Sequence, residues 1–313
     1  MWGYIARRIA AVIPVLLVVA LIVFLMLRLT PGDPAAVIGG DSATSADLAQ
    51  IRQSLGLDRP IVTQFFIWVG NMMTGDFGES FFYKRPVATL IMDRIEPTLA
   101  LAISTITLAT LLAVPLGTLA AYRQNSWIDR GVMAFSVMSF SVPVFVTGYC
   151  LIWLLSVKLG WFPVQGYQSI AQGLGGFLHR LTLPTIALGT IYIALIARMT
   201  RTSVLEVLNE DYVRTARAKG LTEMKVVLGH ALRNAAVPIV TVIGVGIALL
   251  IGGVVVTGSV FNIPGLGRLT VDAVLARDYP TVQAVIMLFS VAYVLINLAI
   301  DLLYTVLDPR IRY

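Results

Sequence analysis

The stretch Thr98–Tyr122, TLALAISTITLATLLAVPLGTLAAY, runs for 25 residues without an Asp, Glu, Lys, Arg or His. A helix of about 20 apolar residues, rising 1.5 Å per residue, crosses the hydrocarbon core of a bilayer. This stretch therefore reads as a membrane span. Five others resemble it: Ile9 to about Leu29, Gly131–Val157, Leu181–Ala197, Ala235–Val256 and Thr281 to about Leu303. None carries a charge in its central part. Pro14, Pro115, Pro143, Pro184 and Pro238 lie inside or at the ends of these runs, where neighbouring helices can satisfy the freed carbonyls.

The composition agrees. The chain has 313 residues, 58% hydrophobic and 13% charged, with mean hydropathy +0.85. A soluble domain is nearer half apolar and a quarter charged, so a water-soluble enzyme is a poor reading. The net charge of +6 marks loop topology in so apolar a chain, not a nucleic-acid partner. The single cysteine, Cys150, rules out an internal disulfide and a thiolate metal cluster. Both histidines, His179 and His230, fall in expected loops, leaving no Ser/His dyad at depth. Among the carboxylates only Asp301 approaches a span, at the end of the sixth, where it reads as an interface residue. The lysines are Lys84, Lys158, Lys219 and Lys225, and none follows a glycine, so the chain lacks a P-loop. If it moves a solute uphill, a partner supplies the energy.

Six spans place both termini on one side. Taking that side as the cytoplasm, the inner segments hold Arg7, Arg8, Arg123, Arg130, Arg198, Arg201, Arg214, Arg217, Lys219, Lys225, Arg233, Arg310 and Arg312. The two short outer loops hold only Lys158, Arg180, Arg268 and Arg277. That asymmetry orients both termini to the cytoplasm. Arg7-Arg8 and the apolar run after them resemble a signal peptide. The following Leu27–Pro34 lacks a small-x-small cleavage site, so an uncleaved anchor over 1–29 is expected. The segment 30–97 lies outside. Within it Thr44–Asp47 reads as a capping box for a helix bearing Leu48, Ile51 and Leu55 and stopped by Gly56. A second short helix starts near Asp58-Arg59-Pro60, presents Ile61, Phe65, Val69 and Met72 at helical spacing, and ends by Gly75. Such a pair reads as a small lid on the outer bilayer surface, or as a docking face for an outside partner. Gly244, Ala248 and Gly252 form a small-residue row on the fifth span, which suits close helix packing.

The inner loop 198–234 is the most informative. Asn209 and Asp211 are good N-cap residues and Gly220 a good C-cap, which frames a helix of about two turns. Arg214 and Arg217 share one face. Tyr212 and the small Thr215, Ala216 and Ala218 give a surface suited to insertion in a partner's cleft. A basic loop needed only for topology would not require these features.

Tyr212–Leu221, followed by His230-Ala-Leu-Arg-Asn234 and Pro238, resembles the cytoplasmic "EAA" loop of binding-protein-dependent ABC importer permeases. The match is to their dipeptide, oligopeptide, glutathione and nickel branch. The resemblance spans the chain. Pro31-Gly32-Asp33-Pro34, Leu55-Gly-Leu-Asp58-x-Pro60, Gly75-Asp76-Phe-Gly78-x-Ser80 and Arg85-Pro86-Val87 fit that branch in order. Phe261-Asn-Ile-Pro264-Gly265-Leu-Gly267-Arg268 and Arg277-Asp278-Tyr279-Pro280 follow. Two positions depart from the general pattern. Arg214-Thr215-Ala216 stands where the wider family has Glu-Ala-Ala, and Gly258-Ser259 replaces an acidic residue often found before Phe-x-x-Pro-Gly.

The resemblance implies an all-α membrane protein with six transmembrane helices in the type I importer (MetI-like) permease fold. It implies a single permease domain over 1–313, with a five-helix core over 98–308. The site it assigns is an ATPase-coupling loop of Asp211, Tyr212, Arg214, Thr215, Ala216, Arg217, Ala218, Lys219, Gly220 and Leu221. Phe261, Pro264, Gly265, Gly267 and Arg268 become a gate or a binding-protein contact on the periplasmic side. The implied partners are a second homologous permease subunit, two ATPase subunits, a periplasmic or lipid-anchored solute-binding protein and membrane lipid, with no nucleic acid. ATP and Mg would sit on the ATPase subunits, with no cofactor or metal in this chain. The cargo is peptide-like: dipeptide, oligopeptide or glutathione. The other reading is a membrane assembly or receptor subunit that transports nothing. A neighbouring gene for a P-loop ATPase would separate the two.

Overall fold

The structure, a computed structural model, describes residues 2–29, 35, 44–54 and 56–307. These are mostly helical, 81%, with no strand among the described residues. In chain order the helices are α1 Trp2–Leu29, α2 Ser45–Ser54, α3 Ile61–Thr74, α4 Val87–Tyr122, α5 Trp127–Ser141 and α6 Val144–Leu151. There follow α7 Leu174–Leu208, α8 Asp211–Ala218, α9 Ala236–Val260, α10 Leu266–Leu275 and α11 Tyr279–Leu307. π-helical turns extend α6 over Ile152–Lys158 and precede α9 over Lys225–Leu232. The expected turn Pro31–Pro34, Leu55, Arg310 and Arg312 lie outside the described residues, as do the side chains of Arg7, Asp47 and Ile51 and the surroundings of Gly252.

Three helices, α4, α7 and α11, are each long and apolar enough to cross a membrane, and counting each bent pair as one span gives up to five. The first expected span falls on α1, whose described apolar stretch, Ala10–Met26, is shorter than a full span and is not among those five. The expected third span, Gly131–Val157, is not one straight rod. α5 and the α6 arm meet at 102°. The cause is local: Val142 precedes Pro143, and the proline ring drives it out of the α region to φ −96°, ψ 120°. A second bend, of 66°, separates Lys225–Leu232 from α9.

The described chain forms two compact units. One comprises 96–267 and the segment from 295 onward. Its centre is α7, whose middle stretch, 181–197, carries no charge and is largely buried, as a helix surrounded by other helices must be. Leu183, Ala187, Leu188, Ala194 and Ile196 are buried there. α4 packs along α7: Ser104 Oγ and Thr185 Oγ1 lie 2.8 Å apart, and a Cβ on Gly189 would touch Leu108 at 3.8 Å. A Cβ on Gly117 would stand 2.5 Å from the Ala197 carbonyl oxygen. The partners ascend together, so the two helices run parallel. The loops of this unit gather at opposite ends. Glu96, Thr98, the 159–173 loop and the 258–267 turn share one end. Asp129, Arg201, Val204, Ala231 and Ala235 share the other. On α9 the Gly244 position sits against Ile300 of α11, as close small-residue packing requires.

The other unit comprises 2–95 and 268–294. Phe24 of α1 meets Phe65 and Trp68 of α3, with ring centroids 5.2 and 5.7 Å away. Two of the quoted motifs meet here. The buried Asp278 carboxylate accepts from Ser80 Oγ at 2.5 Å, the Phe81 N–H at 3.0 Å and Thr281 Oγ1 at 2.6 Å. Gln283 Nε2 then donates to the Val23 carbonyl of α1 at 3.0 Å.

Candidate functional site

The inner-loop residues form a short helix on a packed base. α7 ends at Leu208, and Asn209 closes it by donating Nδ2 to the Leu205 carbonyl at 3.0 Å. Asn209 thus serves the preceding helix, and Asp211 is the first residue of α8, so neither is the N-cap the sequence suggested. The N-cap is Glu210, extended at φ −71°, ψ 147°, with no side-chain capping bond. Asp211 in the first turn and Arg217 in the last complement the helix dipole. Thr215 Oγ1 donates to the Asp211 carbonyl at 3.0 Å.

The end of α8 is as expected. Gly220 takes φ +80°, its N–H donates to the Arg217 carbonyl at 2.9 Å, and the Leu221 N–H donates to Ala216 at 3.4 Å. This is the Schellman arrangement, in which glycine avoids the Cβ penalty of the left-handed region. Lys219, Gly220 and Leu221 are exposed.

Two faces divide the eight residues of α8. Val213 and Ala216 are buried and pack with Val226, Val207 and Leu208. Tyr212, Arg214, Thr215, Arg217, Ala218 and Asp211 are exposed. Ala216 therefore belongs to the base and not to the small-residue docking face expected of it. On a helix this short, i and i+3 define the inward side, and Val213 fixes it. The outer face is ordered by ion pairs: Arg214 Nη1 with Asp211 Oδ1 at 3.2 Å, and Arg217 Nε with Glu223 Oε1 at 3.0 Å. Exposed pairs of this kind contribute little to stability, about 0–1 kcal/mol, but they orient the groups. Tyr212 bonds Asn234, just before α9; burial and the Glu210 charge raise its phenol above the ordinary tyrosine value, against the smaller lowering by Asn234.

One ion pair at this end was not legible in the sequence. Arg201, read as a topological charge, donates Nη2 to Asp129 Oδ2 at 2.7 Å and Nε to Oδ1. Asp129 is 3% exposed and also accepts from the Asn125 N–H at 2.9 Å. This pair ties the start of α5 to α7 a short distance before α8. An acidic residue in the first turn of an apolar run was the available signal.

The second expected group forms a tight turn at the opposite end of the same unit. Phe261 is buried and would meet a Cβ on Gly148 at 3.2 Å, and its carbonyl accepts from the Gly166 N–H at 2.9 Å. The Leu266 N–H donates to Thr98 Oγ1 at 2.8 Å. A Cβ on Gly265 would lie 3.0 Å from that oxygen, and one on Gly267 2.7 Å from Val255 Cα. The glycines are thus required by close approach. Pro264 is exposed. Arg268 stands in the other unit and pairs with Asp272 at 3.8 Å. Beside this turn the Glu96 carboxylate accepts from Ser169 Oγ at 2.9 Å, the Ile170 N–H at 2.9 Å and the Tyr167 hydroxyl at 3.1 Å. Among the described residues no group of three or more His, Cys, Asp or Glu could hold a metal ion.

An apolar helical bundle with polar loop assemblies at its two ends is the architecture of a helical membrane protein. Comparison with known proteins gives the family. Residues 113–313 match the binding-protein-dependent transport system inner membrane component, and residues 1–102 match the N-terminal region of such membrane components. The chain belongs to that family, an inner-membrane transport component and not an enzyme. A probable peptide ABC transporter permease protein of Sinorhizobium fredii is 51% identical over 310 residues, covering 99% of each chain. The glutathione transport system permease protein GsiC of Salmonella choleraesuis is 45% identical over 313 residues, covering 100% of both. A chain of the inward-facing MetNI methionine ABC transporter superposes with TM-score 0.59 at 21% identity, covering 70% of this chain and 96% of that one, which shows a shared fold.

Proposed function

We propose that this chain forms half of the translocation path of an ATP-driven importer of peptide-like solutes, with dipeptides, oligopeptides or glutathione as cargo. Full-length likeness to peptide and glutathione permeases supports the cargo class. The path is completed by a second homologous permease subunit. Two ATPase subunits carry ATP and Mg, and a periplasmic or lipid-anchored solute-binding protein delivers the cargo. α1, α4, the α5–α6 pair, α7, α9 and α11 act as six spans, with both termini in the cytoplasm. Asp211–Leu221 couples to the ATPases, and the Phe261–Arg268 turn gates or contacts the binding protein outside.

The observation that carries this reading is the two-faced α8. Its inward face is packed on the ends of α7 and of the segment before α9, while its polar face is open. A push on the open face therefore reaches the spans and is not absorbed in a loose loop. The test reconstitutes the chain with its partner subunits in vesicles and supplies ATP on the cytoplasmic face. Labelled glutathione or tripeptide should enter only with ATP and the binding protein together. An assembled complex that hydrolyses ATP and moves no solute would favour the non-transporting reading.

A further inference from the structure

α3, Ile61–Thr74, has 14 residues and no charged side chain, whereas Asp58, Arg59 and Asp76 bracket it. Successive residues turn by about 100° on a helix, which separates three arcs. Phe65 and Trp68 face α1 and meet Phe24. Thr63, Gly70 and Thr74 lie on the far side. Between them Val62, Phe66 and Met73 stand open, 63%, 67% and 84% exposed. The apolar arc is thus wider than the protein surface it covers.

The contact with α1 sets the depth. Phe24 precedes Arg28, the first charge after the apolar run, by four residues, or about 6 Å along the helix. Amphipathic helices lying in the interface sink their apolar face about 5–10 Å below the headgroups. Ile13, Leu17 and Leu21, on the Phe24 side of α1, are themselves exposed and apolar, so α3 adjoins an open apolar surface. The charged turns at both ends of α3 suit the headgroup region, and the face of Thr63, Gly70 and Thr74 suits water.

We propose that α3 is a monotopic membrane anchor, with Val62, Phe66 and Met73 immersed among lipid acyl chains. The assignment to the outer leaflet rests on the orientation proposed above; the immersion itself does not. The anchor holds the segment between α1 and α4 at the bilayer surface instead of offering an apolar face to a protein partner. A water-facing docking surface would not be built beside Phe24, below the charge that closes α1.

The test uses the full chain with Cys150→Ser, assembled with its partner subunits in vesicles of phosphatidylethanolamine and phosphatidylglycerol. Phe66→Cys, Met73→Cys and Thr63→Cys each receive a nitroxide label. Collision with oxygen, which partitions into lipid, is compared with collision with a water-soluble nickel chelate. The oxygen-to-nickel ratio should be several-fold higher at positions 66 and 73 than at position 63. Equal ratios at the three positions would overturn the proposal. So would labels at 66 and 73 that meet the nickel chelate freely until the solute-binding protein is added, since that assigns the face to the protein. Exclusion of both reagents, in detergent as well as in vesicles, would assign it to a neighbouring subunit and equally overturn it. None of these readouts depends on transport, so failure of the importer reading and failure of the anchor are distinguishable.

Discussion

Removing the Arg201–Asp129 pair offers the sharpest test of how the α8 end of the helical unit is held. The two side chains are unequally buried, 19% exposed for Arg201 and 5% for Asp129. Arg201→Ala would leave a buried carboxylate with only the Asn125 N–H, and stranding one partner of a buried pair costs about 3–5 kcal/mol. Asp129→Ala strands a guanidinium whose long stem can turn toward water, so the expected loss is smaller, about 2–3 kcal/mol, including the orphaned Asn125 N–H. The double variant should lose about 3 kcal/mol, less than the sum of the singles, giving a coupling energy of about 2–5 kcal/mol. Equilibrium unfolding of the purified chain in mixed micelles, followed by helical ellipticity, measures the cycle. Uptake by the reconstituted complex should fall in both single variants, because α7 carries α8. Strictly additive singles, each below about 0.5 kcal/mol, would refute the reasoning and reduce Arg201 to a topology signal.

Three further outcomes follow from the geometry. Gly220→Val forces a β-branched residue to φ +80° and should uncouple ATP hydrolysis from uptake while membrane insertion stays normal, which fractionation together with an ATPase assay would report. Thr215→Trp, on the open face of α8, should leave the chain's unfolding unchanged and abolish coupled uptake. Ala216→Trp, on the packed face, should instead destabilise the chain by about 1–3 kcal/mol. Gly117→Ala sets a methyl 2.5 Å from the Ala197 carbonyl oxygen and 2.8 Å from Thr200 Cβ, costing about 1–3 kcal/mol, whereas Gly131→Ala, with nothing within 4 Å, should gain about 0.5–1 kcal/mol in the same unfolding assay.

Much of the fold was legible because a span announces itself over some twenty residues, and lipid leaves the backbone little choice but a helix. The α3 limits, the Gly220 stop and the start of α9 were all readable from local chemistry, while α9 runs four residues past the expected Val256. What was not readable depends on distance in sequence. Asp129 and Arg201 are 72 residues apart, and Ser80 and Asp278 are 198 apart. Nothing in either local pattern says that the partners meet. The bend at Val142–Pro143 was half-visible: the proline was noted, yet a proline can be carried inside an unbroken helix, as Pro184 is in α7. Ala216 misled for another reason. A small residue suits a docking face and a tight base equally well, and only the cluster with Val213 and Val226 decides between them.

That cluster also bears on which elements can carry a displacement. α7 is a single helix of 35 residues, about 52 Å long, held at its inner end by Asp129 and along its length by α4. Such a rod moves as a whole or not at all. The segment Lys225–Leu232 meets α9 at 66°, with Ala235 between them at φ −79°, ψ −2°. α8 touches both the rigid rod, through Val207 and Leu208, and the jointed segment, through Val226 and the Tyr212–Asn234 bond. α8 thus bridges the two. The far end of α9 is Val260, followed by Phe261 seated on Gly148 and the glycines closed on Thr98 and Val255. α9 runs from the Lys225–Leu232 segment to the turn at the opposite end, and at Gly244 it packs closely against Ile300 of α11.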